Sequence, residues 1–330
     1  MTALDIYPPY RITDEMLALA AAIAQKTQQA ADTRLLANKT HLRHNNRIQS
    51  IHSSLAIEAN SLSLGQVRDV IDGRAVLGPP KEIQEVKNAY DAYEQLSAVN
   101  PYHIKDLLRL HGIMTKGLIL DAGSFRLGEE GVFSNGKCIF MAPPARLVPE
   151  LMQNLFDWIG KAQDTVHPLV LSSVFHYEFV FIHPFSDGNG RMARLWQTAL
   201  LMGWNEIFQY LPIENQIHRF QVEYYQAIGD SHAAGESTAF VTFMLKMIDQ
   251  VLSELTVTAN RNPNPYVRRL LDVMEYGTAY TAQELLGLLG LKSRLGLRKN
   301  YLNPALEQKL ISMTEPDKPT SKRQRYRKRM

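Results

Sequence analysis

The nine residues His183-Pro-Phe-Ser-Asp-Gly-Asn-Gly-Arg191, with Arg194 one helical turn later, constrain this 330-residue chain more than any other stretch. Pro184 cannot sit inside a helix and keeps His183 out of helical backbone, so the apolar helix before it should stop near Ile182. Gly188 and Gly190 can take positive φ, which lets successive N–H groups converge on an anion. After Gly190 the helical period resumes, with Met192, Leu195, Trp196 and Ala199 on one face. The glycines therefore mark a helix N-terminus, where unpaired N–H groups and the dipole favour phosphate. Arg191 and Arg194 project from the same side of that first turn. An imidazole, a carboxylate, an amide nest and two guanidiniums thus gather within a dozen residues, a set suited to a polyphosphate.

Two other nucleotide motifs fit less well. Gly188 to Ala193 matches the spacing GxGxxA, but that fingerprint needs a preceding strand in a βαβ unit, and the stretch before it reads as helix. A P-loop fails because Arg191 and Met192 stand where Lys and Ser or Thr are required.

With Arg194 included, the stretch resembles the Fic signature HPFxDGNGRxxR, and the likeness extends over about residues 50–245. It implies a mainly α fold: a Fic-type helical bundle with a small β-hairpin flap, followed by a small winged-helix domain. The expected division is an N-terminal helical region at 1–50, a catalytic core with an inhibitory helix at 51–259, and a winged-helix-like part with a basic tail at 260–330. The resemblance also implies a protein adenylyltransferase that moves AMP from ATP to a Ser, Thr or Tyr hydroxyl of a target or of itself. In that scheme His183 is the general base and Asp187 binds Mg²⁺. Gly188, Asn189, Gly190, Arg191, Met192, Ala193, Arg194 and Tyr225 hold the nucleotide, Arg191 facing the departing pyrophosphate and Arg194 the γ-phosphate. Arginines and a helix N-terminus beside His183 should lower its pKa.

Ser54-Leu-Ala-Ile-Glu58-Ala59 resembles the family's inhibitory motif [S/T]xxxE[G/N], with Ala in the last place. A guanidinium holds one anion bidentately at a time, so Glu58 on Arg194 would deprive the γ-phosphate of its partner. Val132, Phe133, Ser134, Asn135, Gly136, Lys137, Cys138 and Ile139 place an Asn-Gly between β-prone residues, a strong hairpin signal. By resemblance this is the flap whose edge aligns an extended target segment.

Elsewhere the periodicity predicts helices over 12–40, with Met16, Leu19, Ala20, Ile23 and Ala24 as the buried stripe, and over 81–99, 103–117, 148–159 and 167–181. His111 and His176 read as hydrogen-bonded core histidines. Asn260-Arg-Asn-Pro-Asn-Pro265 reads as a linker, and Thr281-Ala-Gln-Glu284 as a capping box. A second short helix at 293–301 carries Arg294, Arg298 and Lys299, and the strands around Ile311 and Tyr326 suit a wing.

The formal charge of +3 hides six basic residues among the last nine, leaving the remainder at −3. A solvated basic tail, protein docking and DNA contact are all open for this end. Cys138 is the only cysteine, so an internal disulfide is excluded, and the chain lacks a signal-like N-terminus or a membrane-length apolar run. A cytoplasmic protein is the expectation, without membrane partners and with a homodimer possible. Two further classes of function stay open: a nucleotide-sensing winged-helix regulator, and removal or transfer of other phosphate groups on the same fold.

Overall fold

A computed structural model describes residues 8–32, 39–134, 137–260, 265–274, 278–319, 321 and 323–329; at 31–32, 39–42, 132–134, 137–140 and 256–260 it describes backbone only. Its contacts divide the chain into two compact units, 1–252 and 253–330, so residues 1–50 belong to the same unit as the signature stretch.

The first unit is helical. The single helix expected over 12–40 is two, α1 (Asp14–Asp32) and α2 (Lys39–Ile57), and 33–38 lie outside the described residues. Neither Pro nor Gly announces the change. On α1 the buried stripe runs through Met16, Ile23, Thr27 and Ala30, while Ala24 faces outward; α2 turns Ile48, Ile51 and Leu55 into the core. α3 (Leu64–Ile71) opens with a capping box made by Ser63 and Gln66. α4 (Pro80–Glu94) gives way to a 3₁₀ turn at Leu96–Ala98, short of the expected end at 99. α5 (Ile104–Met114) precedes an antiparallel hairpin, β1 (Gly131–Ser134) and β2 (Lys137–Met141), with a bulge between Val132 and Phe133. The Asn135-Gly136 turn lies outside the described residues.

Next come α6 (Val148–Ala162), α7 (Pro168–Ile182) and α8 (Asn189–Trp204). α7 is apolar on every side, with Leu169, Val170, Val174, Phe175 and Phe179 all buried, and such a helix must be surrounded. α6 and α8 pack against it, and Phe156 of α6 meets both Phe175 and Trp196 edge-on. Each buried Phe contributes roughly 1.5–3 kcal/mol through the area it removes from water. α9 (Ile213–Arg219) lies on α2, and α10 (Gln221–Ala234) and α11 (Thr238–Asn260) come after it. The α7–α8 pair is the scaffold, and the signature stretch is the turn between its two helices.

The second unit runs α12 (Pro265–Val273), β3 (Ala279–Thr281), α13 (Ala282–Leu288), a helical stretch over 294–307, then β4 (Ile311–Met313) and β5 (Arg325–Lys328). Thr281 and Glu284 form the expected capping box. The 294–307 stretch is α14 (Arg294–Gly296), a π turn at Leu297–Leu302 and α15 (Asn303–Glu307). The sheet order is β3-β5-β4, antiparallel throughout. The chain end is therefore a central strand rather than a solvated tail. Tyr326 is buried with Val267, Leu270, Leu285, Leu297 and Ile311, and Lys328 donates to Leu271 O. Burial pushes the Lys328 ammonium down to about 8. Of the expected linker, 261–264 lie outside the described residues.

Candidate active site

α7 ends on His183, whose backbone is left-handed, with φ 52° and ψ 61°. A residue before proline normally extends, and the left-handed form costs an L-residue roughly 1–2 kcal/mol. Its neighbours hold it there. The buried Arg126 donates from Nε to His183 O at 2.7 Å, from Nη1 to Gly128 O at 2.7 Å and from Nη2 to Pro143 O at 2.6 Å. Its backbone N–H reaches Pro184 O at 2.9 Å. The guanidinium thus caps the C-terminus of α7, where the dipole favours a cation, and joins it to both roots of the hairpin. Nothing local in the sequence marked Arg126.

His183 Nδ1 faces Val180 O at 3.4 Å, so a proton there leaves the Nε2 lone pair available. Its pKa is lowered, by burial first and with help from Arg126, against the Val180 carbonyl, Glu130 and Glu58. The signature arginines are not the leading cause, because the ring is already largely out of water.

The turn after His183 is locked from inside. Asn189 donates to Phe185 O at 2.7 Å and accepts from Phe185 N at 2.9 Å. Its side chain therefore closes the loop rather than facing outward. Phe185 is buried and stacked on His111, with ring centroids 3.5 Å apart. His111 Nδ1 accepts from Gly123 N at 2.9 Å, which puts the ring proton on Nε2, 3.0 Å from Asp187 O. His111 is a core histidine as expected, and what it supports is this loop.

Gly188, with φ 87°, is the N-cap of α8. Gly190 is helical and needs its missing side chain for a different reason, since a Cβ there would collide with Oε1 of Glu58. The first intrahelical bond runs from Met192 N to Gly188 O, so the N–H groups of Asn189, Gly190 and Arg191 precede the helical ladder and face outward from its start. Met192 and Ala193 are wholly buried, and their side chains pack α8 into the core.

Asp187 Oδ1 accepts from Gly188 N at 2.6 Å and from Arg191 Nη2 at 2.7 Å. Arg191 is buried, stands 3.8 Å from Glu85, and has no hydrogen-bond partner for Nε or Nη1 among the described residues. A buried donor left unmade costs about 1–3 kcal/mol, so this guanidinium is held with hydrogen-bonding capacity to spare.

Arg194 lies deeper. Its Nε donates to Ser54 Oγ at 2.9 Å, and its Nη2 to Ser54 O at 3.0 Å and to Glu58 Oε1 at 2.8 Å. Burial works against its charge, but Glu58 and the tyrosines outweigh it, leaving the guanidinium above its ordinary pKa. A polar chain supports it from behind. His176 Nδ1 meets Gln197 Oε1 at 2.6 Å, and its Nε2 meets the Tyr224 hydroxyl at 3.0 Å. Burial drives the His176 pKa down to about 3, so it is neutral and structural.

Glu58 is the C-cap of α2. Asn60 N bonds to Leu55 O and Ala59 N to Ala56 O, the double closure of a Schellman cap, with Ala59 at φ 65°. Tyr225 is 50 % exposed, and Glu58 helps raise its pKa after burial does. It sits at the rim, while its neighbour Tyr224 is the buried one. Side chains of Val132 to Ile139 lie outside the described residues, so the flap is placed by its backbone alone.

Among the described residues no three His, Cys, Asp or Glu converge as a metal cage. Asp187 still offers Oδ2, to which no described residue donates. One carboxylate suits a magnesium ion shared with substrate phosphates, which bring their own oxygens. Residues 101–201 match the model of the Fic/DOC family, and residues 265–328 that of the C-terminal domain of filamentation-induced-by-cAMP protein Fic-like. A crystal structure of a Fic family protein from Desulfovibrio desulfuricans G20 is 42% identical, covers 98% of each chain and superposes with a TM-score of 0.73. Caenorhabditis elegans Fic-1 is 24% identical over 74% of each chain, with a TM-score of 0.57, and shares the fold. A protein adenylyltransferase Fic from Nematostella vectensis is 30% identical over 226 residues. That alignment takes in 63% of this chain and 49% of the relative, so the chain spans about half the length of that curated relative.

Proposed function

This chain belongs to the Fic family, and on that footing we propose that it is a protein adenylyltransferase restrained by its own Glu58. The observation that carries the reading is one turn between α7 and α8 that holds an imidazole of lowered pKa at one end and, at the other, a buried arginine with no hydrogen bond to two of its nitrogens. His183 Nε2 takes the proton of an incoming Ser, Thr or Tyr hydroxyl, a step worth roughly 10²–10⁴-fold in typical enzymes. The hydroxyl oxygen bonds to the α-phosphorus of ATP as the bond to the β-phosphate oxygen breaks, and pyrophosphate departs. The N–H groups of Asn189, Gly190 and Arg191, with the Arg191 guanidinium behind them, stabilise the charge gathering on that leaving group. Magnesium held through Asp187 would neutralise phosphate charge and orient the chain of phosphates. The hairpin is two-stranded, so its outer edges are open to pair with an extended target segment.

The restraint follows from occupancy. Glu58 holds Arg194 and stands over Gly190, where the γ-phosphate would otherwise meet the same guanidinium. With α-labelled ATP and mass spectrometry as readouts, Glu58→Gly should add AMP at least tenfold faster than wild type, and His183→Ala should add none. Equal rates for wild type and Glu58→Gly would remove the brake. Labelling by His183→Ala would remove the base.

A further inference from the structure

The second unit carries a charge that the chain average conceals. From residue 253 onward there are fifteen Lys and Arg against seven Asp and Glu, which leaves the first 252 residues net acidic. The excess is not spread evenly. Between 291 and 302 stand Lys292, Arg294, Arg298 and Lys299 with no acidic residue, and all four are exposed. The buried side of the same stretch, Leu297, Tyr301, Leu302 and Ala305, is packed into the core of the unit. The connection between β4 and β5 exposes Lys318 and Arg323.

None of these six cations lies within ion-pair distance of a carboxylate among the described residues. Arg294 donates to the neutral side chain of Gln283 at 2.9 Å, which leaves its charge uncompensated. Arg325, by contrast, is committed to Ala279 O and Glu284, and the Lys328 ammonium is turned inward onto Leu271 O. These basic residues thus divide into two that hold the fold and six whose charge no carboxylate among the described residues balances. The order helix, strand, helix, helix, strand, strand, with a β3-β5-β4 sheet, puts an exposed basic helix and an exposed basic hairpin connection in one small body. An α-helix fits the major groove of B-DNA, and a hairpin beside it can follow the phosphates.

We propose that residues 253–330 form a winged-helix module that binds duplex DNA, with Arg294, Arg298 and Lys299 in the major groove and Lys318 and Arg323 on the backbone. This reading is independent of the adenylyltransferase assignment, because it uses no residue of the signature. Phosphate contacts dominate such binding and release counterions, so affinity should fall steeply with salt.

The test is fluorescence anisotropy of the full chain with a labelled DNA duplex of about 25 base pairs, at salt from about 50 to 200 mM. Wild type should bind in the micromolar range or tighter at the low end. The triple variant Arg294→Gln, Arg298→Gln, Lys299→Gln should bind at least tenfold more weakly, and its log–log salt slope should be shallower by about 3, near 0.9 per lost phosphate contact. Its denaturation curve should match wild type, and its AMP transfer should be unchanged. If the triple variant unfolds, Lys299→Gln alone should lower affinity and reduce the slope by about 1. Duplex RNA of the same sequence should bind more weakly, because its deep, narrow major groove excludes a helix. No binding at the lowest salt, wild-type affinity in the variants, or equal affinity for duplex RNA or polyglutamate would overturn the proposal. The polyglutamate result would point to an acidic protein partner instead.

Discussion

Ala59 occupies a left-handed backbone position that its methyl group makes costly, by roughly 1–2 kcal/mol. It is the C′ residue of the cap that holds Glu58, where glycine carries no such penalty. The cap that holds Glu58 against Arg194 is therefore under tension in this chain, and Ala59→Gly should relax it. The variant should transfer AMP several-fold more slowly than wild type, since about 1.4 kcal/mol is tenfold in an equilibrium. In a Glu58→Gly background the same change should leave initial rates alone. A rate unaffected by Ala59→Gly in the wild-type chain would show that release of Glu58 does not open this cap. Some of the contacts were legible residue by residue: Glu58 meets Arg194 as the motif pairing suggests, and Asp187 meets Arg191 across one helical turn. Ala59 was visible as a departure from the motif, but its meaning needed a dihedral angle. The side chains of Asn189, Met192 and Ala193 lock the loop and the core rather than face outward, which signature position alone does not reveal, while the Asn189 N–H still stands at the helix start.

At the level of elements, the α7 C-terminus and the hairpin are joined through one guanidinium. Arg126 satisfies carbonyls from three separate segments, and no other described side chain donates to His183 O. Arg126→Met should therefore destabilise the chain by about 3 kcal/mol or more, since it strands buried acceptors at about 1–3 kcal/mol each. Arg126→Lys should recover part of that loss by keeping the charge at the helix end. Urea denaturation of the three proteins measures this, and a methionine variant within about 1 kcal/mol of wild type would show that water replaces the side chain. Sequence reasoning missed Arg126 because it lies 57 residues from its partner in the chain and belongs to no periodic pattern. The hairpin was readable from its turn dipeptide, and α7 from its proline stop. The division between α1 and α2 was not, since packing partners rather than Pro or Gly decide which stripe each helix buries.

For the molecule as a whole, two cores and two charge characters share one chain. The second unit has a core of its own, which gathers Val267, Leu270, Leu285, Leu297 and Tyr326. Leu270→Ala should cost about 2–5 kcal/mol of that unit alone, as a buried leucine usually does. Denaturation monitored by Tyr and Trp signals should then separate into two transitions, all three Trp belonging to the first unit. A single unshifted transition would mean that the units unfold as one. Charge averaging hid this division in the sequence, because the basic residues of the end offset an acidic remainder. Glu58, finally, is the resting counter-ion of a guanidinium set deep in the bundle. On the proposed reading, a chain relieved of it should gain turnover and lose robustness together, because the guanidinium it leaves behind is buried without a carboxylate.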